Sequence, residues 1–277
     1  MSQLSEKDQA VLTAAVSRLE RTSLAAQLAA VVGMPVDKLL GWLPDSIQSQ
    51  IERLTEEALT HALSVARKTL NEETGKVPSN MTHKVAVTLS GVTGGLFGAP
   101  ALFAELPVTT LIILRSIADI ARSKRENLAD PEVQLACLEV FALGSDGNQD
   151  AADIESASAQ REQSYIRSSY FVSRAALAQQ VTAAAEILTK GTISTGSSAL
   201  TRLISKIASR FGVSVSEKVA AQAIPVVGAI GGGLINALFM DHFQNIAEAH
   251  FNVRKLERAY GTEVVRQEYE KLANSAV

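Results

Sequence analysis

Stripes of apolar residues at helical spacing run through most of the chain. Residues 44–70, "PDSIQSQIERLTEEALTHALSVARKTL", place Ile51, Leu54, Ala58, Ala62 and Val65 on one face with charges opposite, which predicts an amphipathic helix. Asp45 is its expected N-cap, because a carboxylate there accepts from the unpaired N–H groups of the first turn. The opening "MSQLSEKDQAVLTAAVSRLE" repeats the pattern with Leu4, Val11, Ala15 and Leu19. "DPEVQLACLEVFALGS" (130–145) predicts a helix capped by Asp130, with Pro131 in its first turn. An Ala-rich helix is expected around 174–190, and another over 241–272 with a break near Gly261. Gly-, Pro- and Asn-rich "NEETGKVPSN" (71–80), polar 146–164 and "GTISTGSS" (191–198) read as connections.

Two runs depart from this pattern. Residues 85–104 carry no charge, and after Glu105 the apolar character resumes over 106–114; 219–240, "VAAQAIPVVGAIGGGLINALFM", is the second run. Each has the roughly 20 residues that span a bilayer. Proline and several glycines interrupt both, and Gln222 and Asn236 lie in the second. Buried core helices are therefore the first reading, and membrane insertion or surface contact the second. Gly91, Gly94, Gly95 and Gly98 match no nucleotide-loop spacing, and no lysine follows them as in a phosphate loop. Their spacing is G-x-x-x-G, which Gly228 and Gly232 repeat, and which suits close helix packing. The glycines suggest a helix that ends near Pro100, with Glu105 opening the next one beside Pro107. "GVTGG" and "GAIGG", each followed about ten residues later by an acid (Glu105, Asp241), also allow a pseudo-repeat.

Composition narrows the fold class to all-α, a single multi-helix domain over 1–277 with the two Gly-rich segments as its central helices. Hydrophobic residues make up 47% and aromatics only 5%, which favours helices packed through small side chains over a β-sandwich. The net charge of −3, with Lys and Arg scattered, offers no basic stripe, so nucleic acid is not an expected partner. Cys137 is the one cysteine, which excludes an intrachain disulfide and a cysteine-based zinc site; it reads as a small core residue. The N-terminus has no secretory pattern, which places the expected location in the cytoplasm.

Polar residues beside the apolar runs are the candidate chemistry. On one helix through residue 122, Glu105, Arg115 and Asp119 fall within about a quarter-turn of one another. Arg115 and Asp119 are an i,i+4 pair, so a buried register-setting ion pair and a binding or catalytic site are both open. Asn236, Phe243 and His250 recur every seven residues and share a face, while Asp241 and Asn245 occupy another. His242 and His250 are eight apart, off the helical zinc spacing, so no metal is expected. His250 reads as a hydrogen-bonded histidine at a core edge. No G-x-S-x-G elbow supports serine catalysis.

Three stretches together resemble the EcsC protein family: "GGLFGAPALFAELPVTTLIILRSIADIA" (94–121), "CLEVFALG" (137–144) and "IPVVGAIGGGLINALFMDHFQNIAEAHFNVRKLERAYG" (224–261). The resemblance covers about 85–261, leaving 1–84 as N-terminal helices. It implies a helical bacterial protein, associated with a membrane, whose family takes its name from a protein encoded beside an ABC transporter. It implies no settled biochemical activity and no established catalytic residue, and no cofactor is expected; the family's recurrent polar positions are Glu105, Asn236, Asp241, His242 and His250. Three functional readings follow. The first is a non-enzymatic protein that contacts membrane lipid or a membrane transporter, peripherally at the inner face of the membrane. The second is a hydrolase whose pocket joins catalytic candidates Glu105, Asp119, Asp241 and His250 to ligand-binding Arg115, Asn236 and His242. The third is a purely structural or interaction protein.

Overall fold

A computed structural model describes residues 4–21, 23–35, 38, 40–41, 43, 45–69, 99–145, 168–189, 198–223 and 225–275. These residues form nine helices and no strand: α1 (Glu6–Arg21), α2 (Leu24–Val32), α3 (Asp45–Thr69), α4 (Ala99–Ser123), α5 (Pro131–Leu143), α6 (Ser169–Thr189), α7 (Ser198–Gln222), α8 (Pro225–Tyr260) and α9 (Thr262–Asn274). The loops expected over 71–80 and 146–164 lie outside the described residues, as do Gly91, Gly94, Gly95 and Gly98. No helix among the described residues is long and apolar enough to cross a membrane.

Local chemistry accounts for most boundaries. Asp130 sits extended at φ −73° and ψ 122°, its Oδ1 accepts from the Glu132 N–H at 2.9 Å, and Pro131 starts α5. Gly261 ends α8 at φ 91°, a conformation that costs a side chain strain and a glycine nothing. The uncharged run 219–240 is not one helix: α7 ends at Gln222 and Pro225 starts α8, since proline lacks the N–H needed to continue a helix but suits a first turn.

One boundary corrects the sequence reading. α4 runs from Ala99 straight through Pro107, so no new helix opens at Glu105. An interior proline removes one backbone hydrogen bond and costs about 3 kcal/mol. Burial of Leu106, Ile113, Leu114 and Ile117 along the same helix outweighs that, at about 1.5–3 kcal/mol per large aliphatic side chain. Glu105 is consequently a mid-helix residue and gains nothing from a helix N-terminus.

α7 and α8 are the central helices. α7 packs on α2, α3, α5, α6 and α8, and α8 touches α1, α2, α4, α5, α7 and α9. α4 and α8 run side by side in the same direction, because Glu105 meets Asn236, Ser116 meets Gln244, and Lys124 meets Glu248. Midway along, Phe141, Phe211, Phe239 and Phe243 interlock with ring centroids 4.6–6.0 Å apart. A second, smaller cluster joins Leu12, Val16, Tyr170, Val253, Val265 and Tyr269 around the C-terminal part of α8. Leu19 and Leu143 border both clusters, so one apolar interior is continuous through α8.

Candidate functional site

Two buried polar stations lie along α8, fourteen residues or about 21 Å apart at 1.5 Å per residue. The first centres on Glu105 of α4. Its Oε1 accepts from Lys218 Nζ of α7 at 2.9 Å, from Asn236 Nδ2 of α8 at 2.7 Å and from Thr109 Oγ1 at 3.1 Å. Gln222 Nε2 in turn donates to Asn236 Oδ1 at 3.3 Å, and the Lys218 ammonium lies 5.2 Å from the Phe239 ring centroid. Three helices therefore meet at one carboxylate oxygen. The side chains of Glu105 and Lys218 are each only 5% exposed. Burial pulls the Lys218 pKa below its ordinary value, and the charge and hydrogen bond of Glu105 only partly restore it. Glu105 Oε2 and Gln222 Oε1, both buried, have no hydrogen-bond partner among the described residues.

The second station is built on a chain of hydrogen bonds around His250 Nδ1, while His250 Nε2, also buried, has no hydrogen-bond partner among the described residues. His250 Nδ1 lies 3.0 Å from the Tyr170 hydroxyl. Arg174 Nη1 donates to the same phenol oxygen at 3.3 Å, so the phenol proton points at Nδ1 and the ring proton is assigned to Nε2. Arg174 also grips Glu257 with two bonds, 2.8 and 3.3 Å. Burial, reinforced by the Arg174 and Arg254 charges, holds the His250 pKa well below its usual value, so the ring is neutral. Burial raises the pKa of Tyr170 and of nearby Glu139. Glu20 of α1 anchors the start of α6: it accepts from the Ser169 and Tyr170 N–H groups, the Ser169 hydroxyl and the Tyr269 hydroxyl.

The sequence-derived candidates divide accordingly. Glu105 and Asn236 come together in the first station. His250 belongs to the second, and His242 binds the Gly144 carbonyl through Nε2 in the middle of the bundle. Arg115 is exposed on α4; Asp119 accepts from Arg122 at 3.0 Å, about 21 Å along α4 from Glu105. Asp241 is half-buried on α8, five residues beyond the Asn236 that meets Glu105. A pocket uniting all of these residues is thus not what the helices build, since their positions along α4 and α8 spread over several turns. Cys137 is buried core, its thiol pushed up to about 12 by burial. No group of three or more His, Cys, Asp or Glu among the described residues is placed to hold a metal.

Lys218, Gln222 and Thr109, which complete the first station, escape the sequence reading, as do Tyr170, Arg174, Glu139 and Glu257 in the second. One signal was available for Lys218: it is the last charge before the uncharged run at 219, and Gln222 follows one turn later.

A family model described as the EcsC protein family matches residues 8–256, from α1 nearly to the end of α8. The match takes in the N-terminal helices that the resemblance over 85–261 left outside, in keeping with the packing of α1 on α8 and of α3 on α4. No curated protein and no solved structure matches the chain.

Proposed function

The chain belongs to the EcsC protein family, and we propose that it is a non-enzymatic helical protein that associates peripherally with membrane lipid through the end of α4 and α8 that carries Glu105 and Asn236. One observation carries this reading. Val108 and Leu234, the two large hydrophobic side chains that stand exposed among the described residues, are 50% and 51% exposed. Val108 is one turn from Glu105, and Leu234 is two residues from Asn236, to which Glu105 is bonded. A single exposed aliphatic side chain is unremarkable. Two at the same end of parallel helices, where both uncharged Gly-rich runs enter in sequence, fit a surface that meets lipid. A membrane transporter, the partner the family resemblance implies, would be met on the same surface at the inner face of the membrane.

The hydrolase reading lacks comparable support, because Glu105, Asp119, Asp241 and His250 do not converge. Vesicle co-sedimentation tests the proposal. Wild-type protein should pellet with vesicles, and the Val108→Asp/Leu234→Asp double variant should partition about thirtyfold less, since each half-exposed side chain has roughly 1 kcal/mol of apolar burial left to gain. Protein that stays in the supernatant with anionic and neutral vesicles alike would overturn it.

A further inference from the structure

The Glu105 station is asymmetric. Oε1 takes three donors while Oε2, on the same carboxylate, takes none among the described residues. Gln222 Oε1, the other end of the amide that holds Asn236, is likewise without a partner there. A buried acceptor left without a donor costs stability, more when it is charged, so such atoms call for an occupant. Lys218 adds to the demand: an ammonium carries three N–H donors, and the one hydrogen bond it makes among the described residues goes to Glu105 Oε1, with the Phe239 ring centroid 5.2 Å away.

These groups define what would fit. Two acceptors require a ligand with hydrogen-bond donors, and the ammonium favours one that can also accept. Glu105 and Lys218 neutralise each other, so neither a bare anion nor a bare cation is attracted, and an added charge at this depth would bear the full desolvation cost. A hydroxyl both donates and accepts without charge. A molecule with two adjacent hydroxyls offers one donor to each of Glu105 Oε2 and Gln222 Oε1.

We propose that Glu105, Lys218 and Gln222 form a binding site for a vicinal diol, supplied either by a free polyol or by a glycerol-type lipid headgroup. The proposal rests on the lipid-association reading only for the second source. Glu105 Oε2 and Gln222 Oε1 accept from the two hydroxyls, Lys218 donates to one of them, and Asn236 and Thr109 hold Glu105 in place through Oε1.

The test uses the full chain with two kinds of probe. Glycerol is followed by saturation-transfer NMR. Vesicles of phosphatidylglycerol are compared with vesicles of phosphatidic acid, which is anionic but lacks the headgroup diol. The expected result is saturation transfer to glycerol, tighter binding to phosphatidylglycerol than to phosphatidic acid by about tenfold, and loss of both in Glu105→Gln and Gln222→Leu. Tenfold is the scale of one hydrogen bond to a charged group. Gln222→Leu keeps the ion pair, so it carries the test should Glu105→Gln fail to fold by circular dichroism. Equal binding to both vesicles, with no glycerol signal, overturns the diol site while leaving lipid association standing. A glycerol signal lost in Gln222→Leu, with no vesicle binding at all, upholds the diol site and removes the lipid reading.

Discussion

Replacing Lys218 by Met isolates the energetics of the first station. Methionine keeps most of the aliphatic stem's volume, while the ammonium goes and with it the contact to the Phe239 ring. What remains is a Glu105 carboxylate, 5% exposed, held by Asn236 and Thr109 alone. Removing one partner of a buried pair costs about 3–5 kcal/mol, because the other charge is stranded. For a chain of this size, with roughly 2–4 °C of Tm per kcal/mol, the melting temperature should fall by about 6–20 °C in differential scanning calorimetry at pH 7. Adding Glu105→Leu to Lys218→Met removes the stranded charge, and the double variant should be no less stable than the single one. That corresponds to a coupling of about 2 kcal/mol or more in the double-mutant cycle. Single effects that add to within about 0.5 kcal/mol would refute the reasoning, since independent sites behave that way.

The same variant has a pH signature. Burial lowers the Lys218 pKa from 10.5, so between that lowered value and 10.5 the unfolded chain holds a proton that the folded chain has released. Stability rises with pH wherever the unfolded state binds more protons. Wild-type protein should therefore gain stability on going up through this window relative to Lys218→Met, which has no such group. A flat difference between the two would place the ammonium in a wetter setting than its burial implies.

Three further outcomes follow from other parts of the interior. A Cβ at Gly144 would lie 2.7 Å from Phe243 Cε1 and 3.0 Å from its Cδ1, so Gly144→Ala should destabilise by about 1–3 kcal/mol in urea denaturation through overpacking, although its φ of −85° is ordinary. Burial raises the Glu139 pKa, a raised carboxyl stabilises only while protonated, and this contribution fades as pH climbs from the ordinary carboxylate range through the folded value. Glu139→Gln should thus match wild type in acid and melt higher at pH 7, the gap opening as pH rises. Glu20→Ala removes the carboxylate that the start of α6 and Tyr269 share; it should cost about 1–2 kcal/mol and speed hydrogen exchange at Ser169 and Tyr170.

Periodicity made the helices legible and left their neighbours obscure. The stripe on α3 proves buried at Ile51, Ala58 and Ala62, and the one on α1 is centred one position later than expected, on Leu12, Ala15 and Val16. α7 had no predicted counterpart. Its Val213-Ser214-Val215-Ser216 alternates like a strand, yet Leu203, Ile207, Phe211 and Val215 bury a helical stripe, and packing against five helices overrides the local preference. The start of α8 was hidden inside a run that reads as one element. In each case local sequence states which face is apolar, and only the assembled bundle states how far the element extends.

The seven-residue recurrence of Asn236, Phe243 and His250 is the point at which sequence and site join. All three are fully buried, which fits the shared face; Asn236 bonds to Glu105, which the hydrolase reading grouped with it, whereas His250 bonds to Tyr170, which the sequence did not single out. Asn236 reaches α4 and α7, and His250 reaches α6. A polar atom on an apolar stripe must be satisfied from a neighbouring helix, and only one rotation and one height of that helix will do it. Asn236 and His250 therefore fix α8 at two heights, while Phe243 between them would tolerate a range of aromatic contacts. The Glu105 station differs from the His250 station in the atoms left over among the described residues: two acceptor oxygens in the first, one ring nitrogen in the second. Around Nδ1 of His250, Tyr170, Arg174 and Glu257 are linked in one chain of hydrogen bonds. Around Glu105 the three donors crowd one oxygen and leave the other, with Gln222 Oε1, unmet among the described residues. Two unmatched acceptors on side chains joined through Asn236, where the His250 station leaves a single ring nitrogen unmet among the described residues, make this end of the bundle the place to seek a ligand.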